Sequence, residues 1–157
     1  MKFNDIYDTA RPYIACFVIL RNDQGEIAML RRQNTGWMDG FLGLPAGKVE
    51  YGETFTQATV REAKEEAGVD IAERNLQHRH TTHRHGIEGK GFMDWVDVYF
   101  EAVEWSGDPY NAEEEKASEL VWVNIDKMAR SIVPSQLDAL QKIHEGALYS
   151  EFGWQES

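Results

Sequence analysis

Apolar positions along the chain gather into short β-like runs and two helical stripes. Residues 12–20 form an apolar, β-prone run, Asn22-Asp23-Gln24-Gly25 supplies turn residues, and residues 26–30 make a second run, so the pair reads as a hairpin. Four of the 13 glycines and Pro45 fall within residues 36–47 among Trp37, Phe41 and Leu42, which predicts a loop passing through a short strand. Residues 75–85 form a further strand. Residues 92–105 alternate as a longer one, with Val96, Val98 and Phe100 on one face and Trp95, Asp97 and Tyr99 on the other. Ser106-Gly107-Asp108-Pro109 ends it, an acidic stretch at Glu113-Glu114-Glu115 follows, and residues 120–125 make a last short strand. Pro134 then opens a helix whose stripe Leu137, Leu140, Ile143 and His144 packs on the sheet. With no internal repeat and no linker, the order predicts one domain over residues 1–157, of α/β class, with a mixed sheet between helices.

Bulk properties narrow the function. A chain of 157 residues suits one domain and buries roughly 70% of its unfolded surface. A formal charge of −11 argues against a nucleic-acid groove or an anionic membrane surface, both approached through clustered Lys and Arg. A polyanionic substrate would need cations to mediate. The single Cys16 lies in an apolar run without a disulfide partner and reads as a core residue in a reducing compartment. Residues 1–12 lack the apolar core of a secretory signal, and no segment reaches the roughly 20 apolar residues of a membrane span. The expectation is a soluble cytoplasmic protein.

The chemistry concentrates in residues 47–69. Gly47, Glu53, Arg61, Glu62, Glu65, Glu66 and Gly68 stand in the order G-x5-E-x7-R-E-x2-E-E-x-G, a pattern that arises by chance on the order of once in a million such chains. Thr54 and Gln57 form a capping box, so a helix runs from there to Ala67 and stops at Gly68. At about 100° per residue, Val60, Ala63 and Ala67 share one side while Glu62, Glu65 and Glu66 gather nearly opposite. In water such a face is merely acidic, at about 0.2 to 0.5 kcal/mol per like-charge pair. In a cleft, two carboxylates ~6 Å apart repel by about 3 kcal/mol at an effective dielectric near 20, so they either hold protons or recruit cations. All-oxygen ligands without Cys suit Mg²⁺ or Mn²⁺ better than zinc. Such ions beside a diphosphate neutralise developing charge and lower the pKa of an attacking water, which is the chemistry of phosphoanhydride hydrolysis.

This run resembles the Nudix box, a loop-helix-loop that binds divalent metal and cleaves a nucleoside diphosphate linked to another group. The resemblance implies the Nudix α/β/α sandwich around a mixed β-sheet. It makes Glu62, Glu65, Glu66 and the backbone carbonyl of Ala46 metal ligands, and Glu53 with Arg61 the pair that orients them. Ala63 departs from the family, which usually carries a larger aliphatic residue there; on the apolar side this concerns packing. Arg21-Asn22, Glu26-Ile27, Arg31-Arg32 and Leu44-Pro45 are similar to the start of MutT-type members, which convert nucleoside triphosphates to monophosphate and pyrophosphate. In that comparison Arg32 contacts phosphate, or else is a strand-end surface charge. Glu113 is the additional carboxylate ligand or base, with Glu114 and Glu115 as shifted alternatives and an exposed acidic loop as the ordinary reading. Asn124 reads a base edge or simply ends a strand. The resemblance implies a (deoxy)nucleoside triphosphate substrate, an oxidised one included, with nucleotide sugars, dinucleoside polyphosphates or a non-catalytic sensor as rivals. Residues 70–108 hold no proline of the kind that marks ADP-ribose hydrolases. Dimers are common among similar proteins, so a homodimer is compatible with it.

His78, His80, His83 and His85 form two H-x-H pairs, each of which would point to one face of a strand and offer ligand-like geometry for a second metal or for substrate, although no Cys accompanies them and the segment is as polar as an exposed strand or loop. Trp37, Trp95 and Tyr99 are candidates for base stacking or for core.

Overall fold

The computed structural model describes residues 9–86 and 93–154. Residues 1–8, read above for the absence of a signal core, and Phe92, taken as the start of a strand, lie outside the described residues. Among the described residues, eight strands form two sheets. The first is mixed and five-stranded, in the order β4-β1-β6-β5-β8, from β1 (Tyr13–Ile19), β4 (Ala46–Lys48), β5 (Leu76–Arg84), β6 (Trp95–Ala102) and β8 (Tyr149–Phe152). The second is antiparallel, in the order β3-β2-β7, from β2 (Ile27–Arg32), β3 (Leu42–Gly43) and β7 (Ala117–Val123).

The expected hairpin of the first two runs exists only at its root. Asn22 N–H donates to the Glu26 carbonyl and Ala28 N–H to that of Leu20. Beyond that point β1 pairs parallel with β6 and antiparallel with β4, whereas β2 leaves for the second sheet. Both runs are buried through most of their length, so each finds more apolar cover in its own sheet than it would in a two-stranded ribbon.

The mixed sheet is covered on both faces. Cys16, Val98 and Phe100 pack with Ala58 of helix α1 (Phe55–Ala67). On the other face Ala15, Phe17 and Tyr99 join Ile27 and Met29 of the second sheet and Ala139 and Leu140 of helix α3 (Pro134–His144). A short helix, α2 (Ile125–Met128), precedes α3. The alternation read along β6 thus separates two cores. Leu137 and Ile143 pack as expected, and Ala63 is wholly buried among Val18, Leu20, Ala28 and Val69.

Helix α1 begins and ends where its sequence says it should. Thr54 is the N-cap, its side chain accepts from Gln57 N–H, and the Gln57 side chain accepts from Thr54 N–H at 2.9 Å. Gly68 terminates the helix at φ 70° with its N–H on the Lys64 carbonyl, a conformation that glycine alone adopts without strain.

Candidate active site

Arg61 organises the acidic end of α1. Its Nη2 and Nε donate to the two oxygens of Glu53 at 2.6 and 3.1 Å, and its Nη1 donates to Glu62 at 2.7 Å and to Glu65 at 3.3 Å. Nη2 also reaches the Lys48 carbonyl at 3.1 Å, which ties the helix to β4. The hydrogen bond from Arg61 holds the Glu53 carboxyl below its ordinary range, and the carboxylates around Arg61 push its own pKa up. Glu66 takes a different partner, accepting from Ala46 N–H at 2.8 Å. Gly47 stands against Glu62 so closely that a β-carbon there would overlap the Glu62 carboxylate.

Burial pushes Glu62 up, and pushes Glu66 up to about 8, with neighbouring carboxylates adding to both. Glu113 acts on each of them through space and itself accepts from Lys116 Nζ at 2.8 Å. Glu114 and Glu115 are exposed, and their carbonyls serve Gln33 and Asn34 instead. Of the three, Glu113 alone lines the cleft.

That cleft, of about 640 Å³, lies between the two sheets. Ala46, Gly47, Glu66, Glu113 and Lys116 form one end. Phe17, Leu30, Gly43 and Leu44 give it apolar lining. Aromatic rings with cations over them stand along its walls. Trp37 carries the Arg32 guanidinium 4.7 Å from its ring centre, and Arg32 is fixed by the Trp37 carbonyl at 3.0 Å and Thr35 Oγ1 at 3.1 Å. Trp95 and Tyr13 lie 5.0 Å apart, with Lys48 Nζ 4.8 Å from the Tyr13 ring and Arg84 5.0 Å from Trp95. Tyr99, also a stacking candidate in the sequence, lies in the core against Phe17.

Asn124 lies outside this lining. It is the N-cap of α2, and its side-chain oxygen accepts from Asp126 and Lys127 N–H. The amide that does reach the cleft is Gln136, only 4% exposed, whose Oε1 accepts from Leu44 N–H at 2.7 Å. Sequence reasoning passed over it, although Gln136 precedes Leu140 by four residues and Ile143 by seven and so belongs to their buried stripe. Lys48 and Arg84 were missed as well.

The histidine pairs do not form one site. A bulge in β5 places His78 beside Phe100 and His80 beside Tyr99, on opposite faces of the sheet. His80 is buried between the Ala147 carbonyl and Ser150 Oγ. His83 and His85 pack on Trp154, and His85 faces Asp94 at 2.7 Å. Among the described residues, no three His, Cys, Asp or Glu side chains are gathered to hold a metal ion; in the acidic cluster Arg61 and the Ala46 amide hold the carboxylates instead. No helix among them is long and apolar enough to cross a membrane.

Comparison with known proteins agrees with this architecture. The NUDIX domain model matches residues 11–143. An 8-oxo-dGTP diphosphatase of Escherichia coli K12 is 33% identical over 111 residues, covering 69% of this chain and 81% of that protein. A MutT Nudix hydrolase from Burkholderia pseudomallei superposes with a TM-score of 0.72 at 25% identity, over 83% of this chain and 97% of the other. A MutT protein from Methanosarcina mazei Go1 shares the fold, with a TM-score of 0.71 at 20% identity over 87% of this chain and 95% of that one. The chain belongs to the Nudix family and is a MutT-like hydrolase within it.

Proposed function

We propose that the protein, acting as a single Nudix domain, hydrolyses a (deoxy)nucleoside triphosphate, oxidised purine forms included, to the monophosphate and pyrophosphate. The observation that carries this reading is a carboxylate pair at one end of a cleft whose walls are aromatic rings backed by cations: half-buried Glu66 lines the cleft, and buried Glu62 stands behind Gly47 of its lining. The donor set fits a hard divalent ion. It is all oxygen, and among the described residues Glu66 has a backbone amide but no side-chain cation as its hydrogen-bond partner, so the carboxyl either keeps a proton or exchanges it for an ion. Glu62, Glu65, Glu66, Glu113 and the Ala46 carbonyl would hold it. When bound, Mg²⁺ or Mn²⁺ would neutralise charge on the phosphates and acidify the attacking water.

The chain's own groups supply the rest. Arg61 and Glu53 fix the helix against β4, so the carboxylates keep their spacing as the substrate enters. Arg32 and Lys48 offer charge to the phosphates, and Trp37 and Trp95 offer flat faces to a base. Gln136 presents its amide to the edge of that base. One of the glutamates takes the proton from water. The name of the Escherichia coli relative supports an oxidised purine as the base.

The test is pyrophosphate release from a panel of plain and oxidised triphosphates, nucleotide sugars and dinucleoside polyphosphates, with Mg²⁺ and with EDTA. Metal-dependent pyrophosphate release from a triphosphate is expected, and Glu66→Gln should lower it about 10²- to 10⁴-fold. Turnover confined to sugar or dinucleotide substrates would replace the proposal.

A further inference from the structure

Beneath the base end of the cleft lies an ion pair that the acidic helix does not use. Asp97 is wholly buried at the centre of the mixed sheet, on the same face as Trp95. Arg84 of β5, paired with Trp95 across the sheet, reaches diagonally to Asp97, with Nε and Nη2 donating to the two Asp97 oxygens at 2.6 and 3.1 Å. The Arg84 side chain is only 12% exposed, lines the cleft and lies over the Trp95 ring. A buried ion pair of this kind is weak evidence for stability, because desolvation offsets the attraction between the charges. It does fix a guanidinium rigidly in the wall of a binding cleft.

From this placement we infer that Arg84 is a specificity-determining residue that contacts the base, and that Asp97 is the residue that positions it. Two features of the pair set what it selects. Asp97 balances the charge of Arg84, so this guanidinium suits a neutral polar group, while the phosphates would lie toward the acidic end. A guanidinium also only donates hydrogen bonds. Gln136, which also lines the cleft, adds to this, since its Oε1 accepts from Leu44 N–H and its Nε2 N–H groups are the donors left for a ligand. A wall of donors favours bases with a carbonyl oxygen at that edge, such as guanine and thymine, over adenine and cytosine, which present an amino group there. The inference rests on the proposed nucleotide substrate and adds the class of base.

The experiment compares kcat/KM for the matched pairs dGTP against dATP and dTTP against dCTP, in the wild type, Arg84→Met and Arg84→Lys. In parallel, tryptophan fluorescence measures binding of the four corresponding monophosphates in EDTA. Wild type should prefer the carbonyl-bearing member of each pair. Arg84→Met should reduce that preference about ten- to a hundredfold, through KM rather than kcat. Arg84→Lys keeps the charge but loses the planar fork, and should reduce the preference too; it is the variant to read if Arg84→Met does not fold. An equal loss on all four nucleotides, or a wild type without the preference, overturns the inference and leaves triphosphate hydrolysis standing. Preferential binding of the carbonyl-bearing monophosphates without any turnover would do the reverse. Failure to bind any of the four overturns the inference.

Discussion

A methyl group on Gly47 would occupy the space of the Glu62 carboxylate, so the glycine is required by close approach. Gly47→Ala should therefore displace Glu62 and lower kcat/KM about a hundredfold, the scale at which an ångström of misplacement is felt. Steady-state kinetics beside a thermal melt would separate this from unfolding. Glu66 makes a second prediction at this scale. Burial raises it from 4.5 to about 8, so the folded, metal-free protein keeps a proton that the unfolded chain releases. The stabilisation is whole below the unfolded value and is lost as pH rises through the folded one. In EDTA the melting temperature should fall between about pH 4.5 and pH 8, and Glu66→Gln should flatten that slope. Part of this arrangement is legible in residue identities, because the order of glycines, glutamates and Arg61 implies a loop feeding an acidic helix. The base end is less so. Asn124 and Gln136 carry the same amide, and only three-dimensional packing shows that the first caps α2 while the second faces the cleft.

Among the elements, α1 is the one the site depends on most, and its capping box holds the turn beside Glu53. Thr54→Ala removes the side-chain acceptor and should cost about 1 kcal/mol, or roughly 2 to 4 °C in Tm for a chain of this size, as read by calorimetry. Helix boundaries were readable because caps and apolar spacing are local. Sheet partners were not, because β1 and β2 share a turn yet pair in different sheets, and nothing within either run distinguishes those outcomes. β8 escaped notice for another reason. In its four residues the buried side chain is Ser150, whose hydroxyl meets His80 at 2.7 Å and Thr82 at 3.3 Å, so it carries no apolar signal. The same contacts explain His80, which the sequence leaves open between a ligand and an exposed polar strand and which is a hydrogen-bonded core residue in the fold.

At the scale of the whole molecule, a chain with a formal charge of −11 is proposed to take a polyanion into a cleft whose catalytic end is itself acidic. Arg32, Lys48 and Lys116 soften that field along the lining, and Glu113 already draws on Lys116. The balance must come from solution cations, which should then be linked to folding. A divalent ion that binds the native carboxylates and not the unfolded chain, at about a hundred times its Kd, stabilises by about 2.7 kcal/mol, or roughly 5 to 10 °C. Mg²⁺ and Mn²⁺ should produce that shift at pH 8 without any nucleotide. The shift should be much smaller in Glu62→Gln and Glu66→Gln, and a Na⁺ control of equal ionic strength should not reproduce it, because general screening does not depend on those two side chains. A wild-type Tm indifferent to divalent ions would place metal recruitment with the nucleotide, and the Glu62 and Glu66 carboxylates would then receive the ion already bound to phosphate.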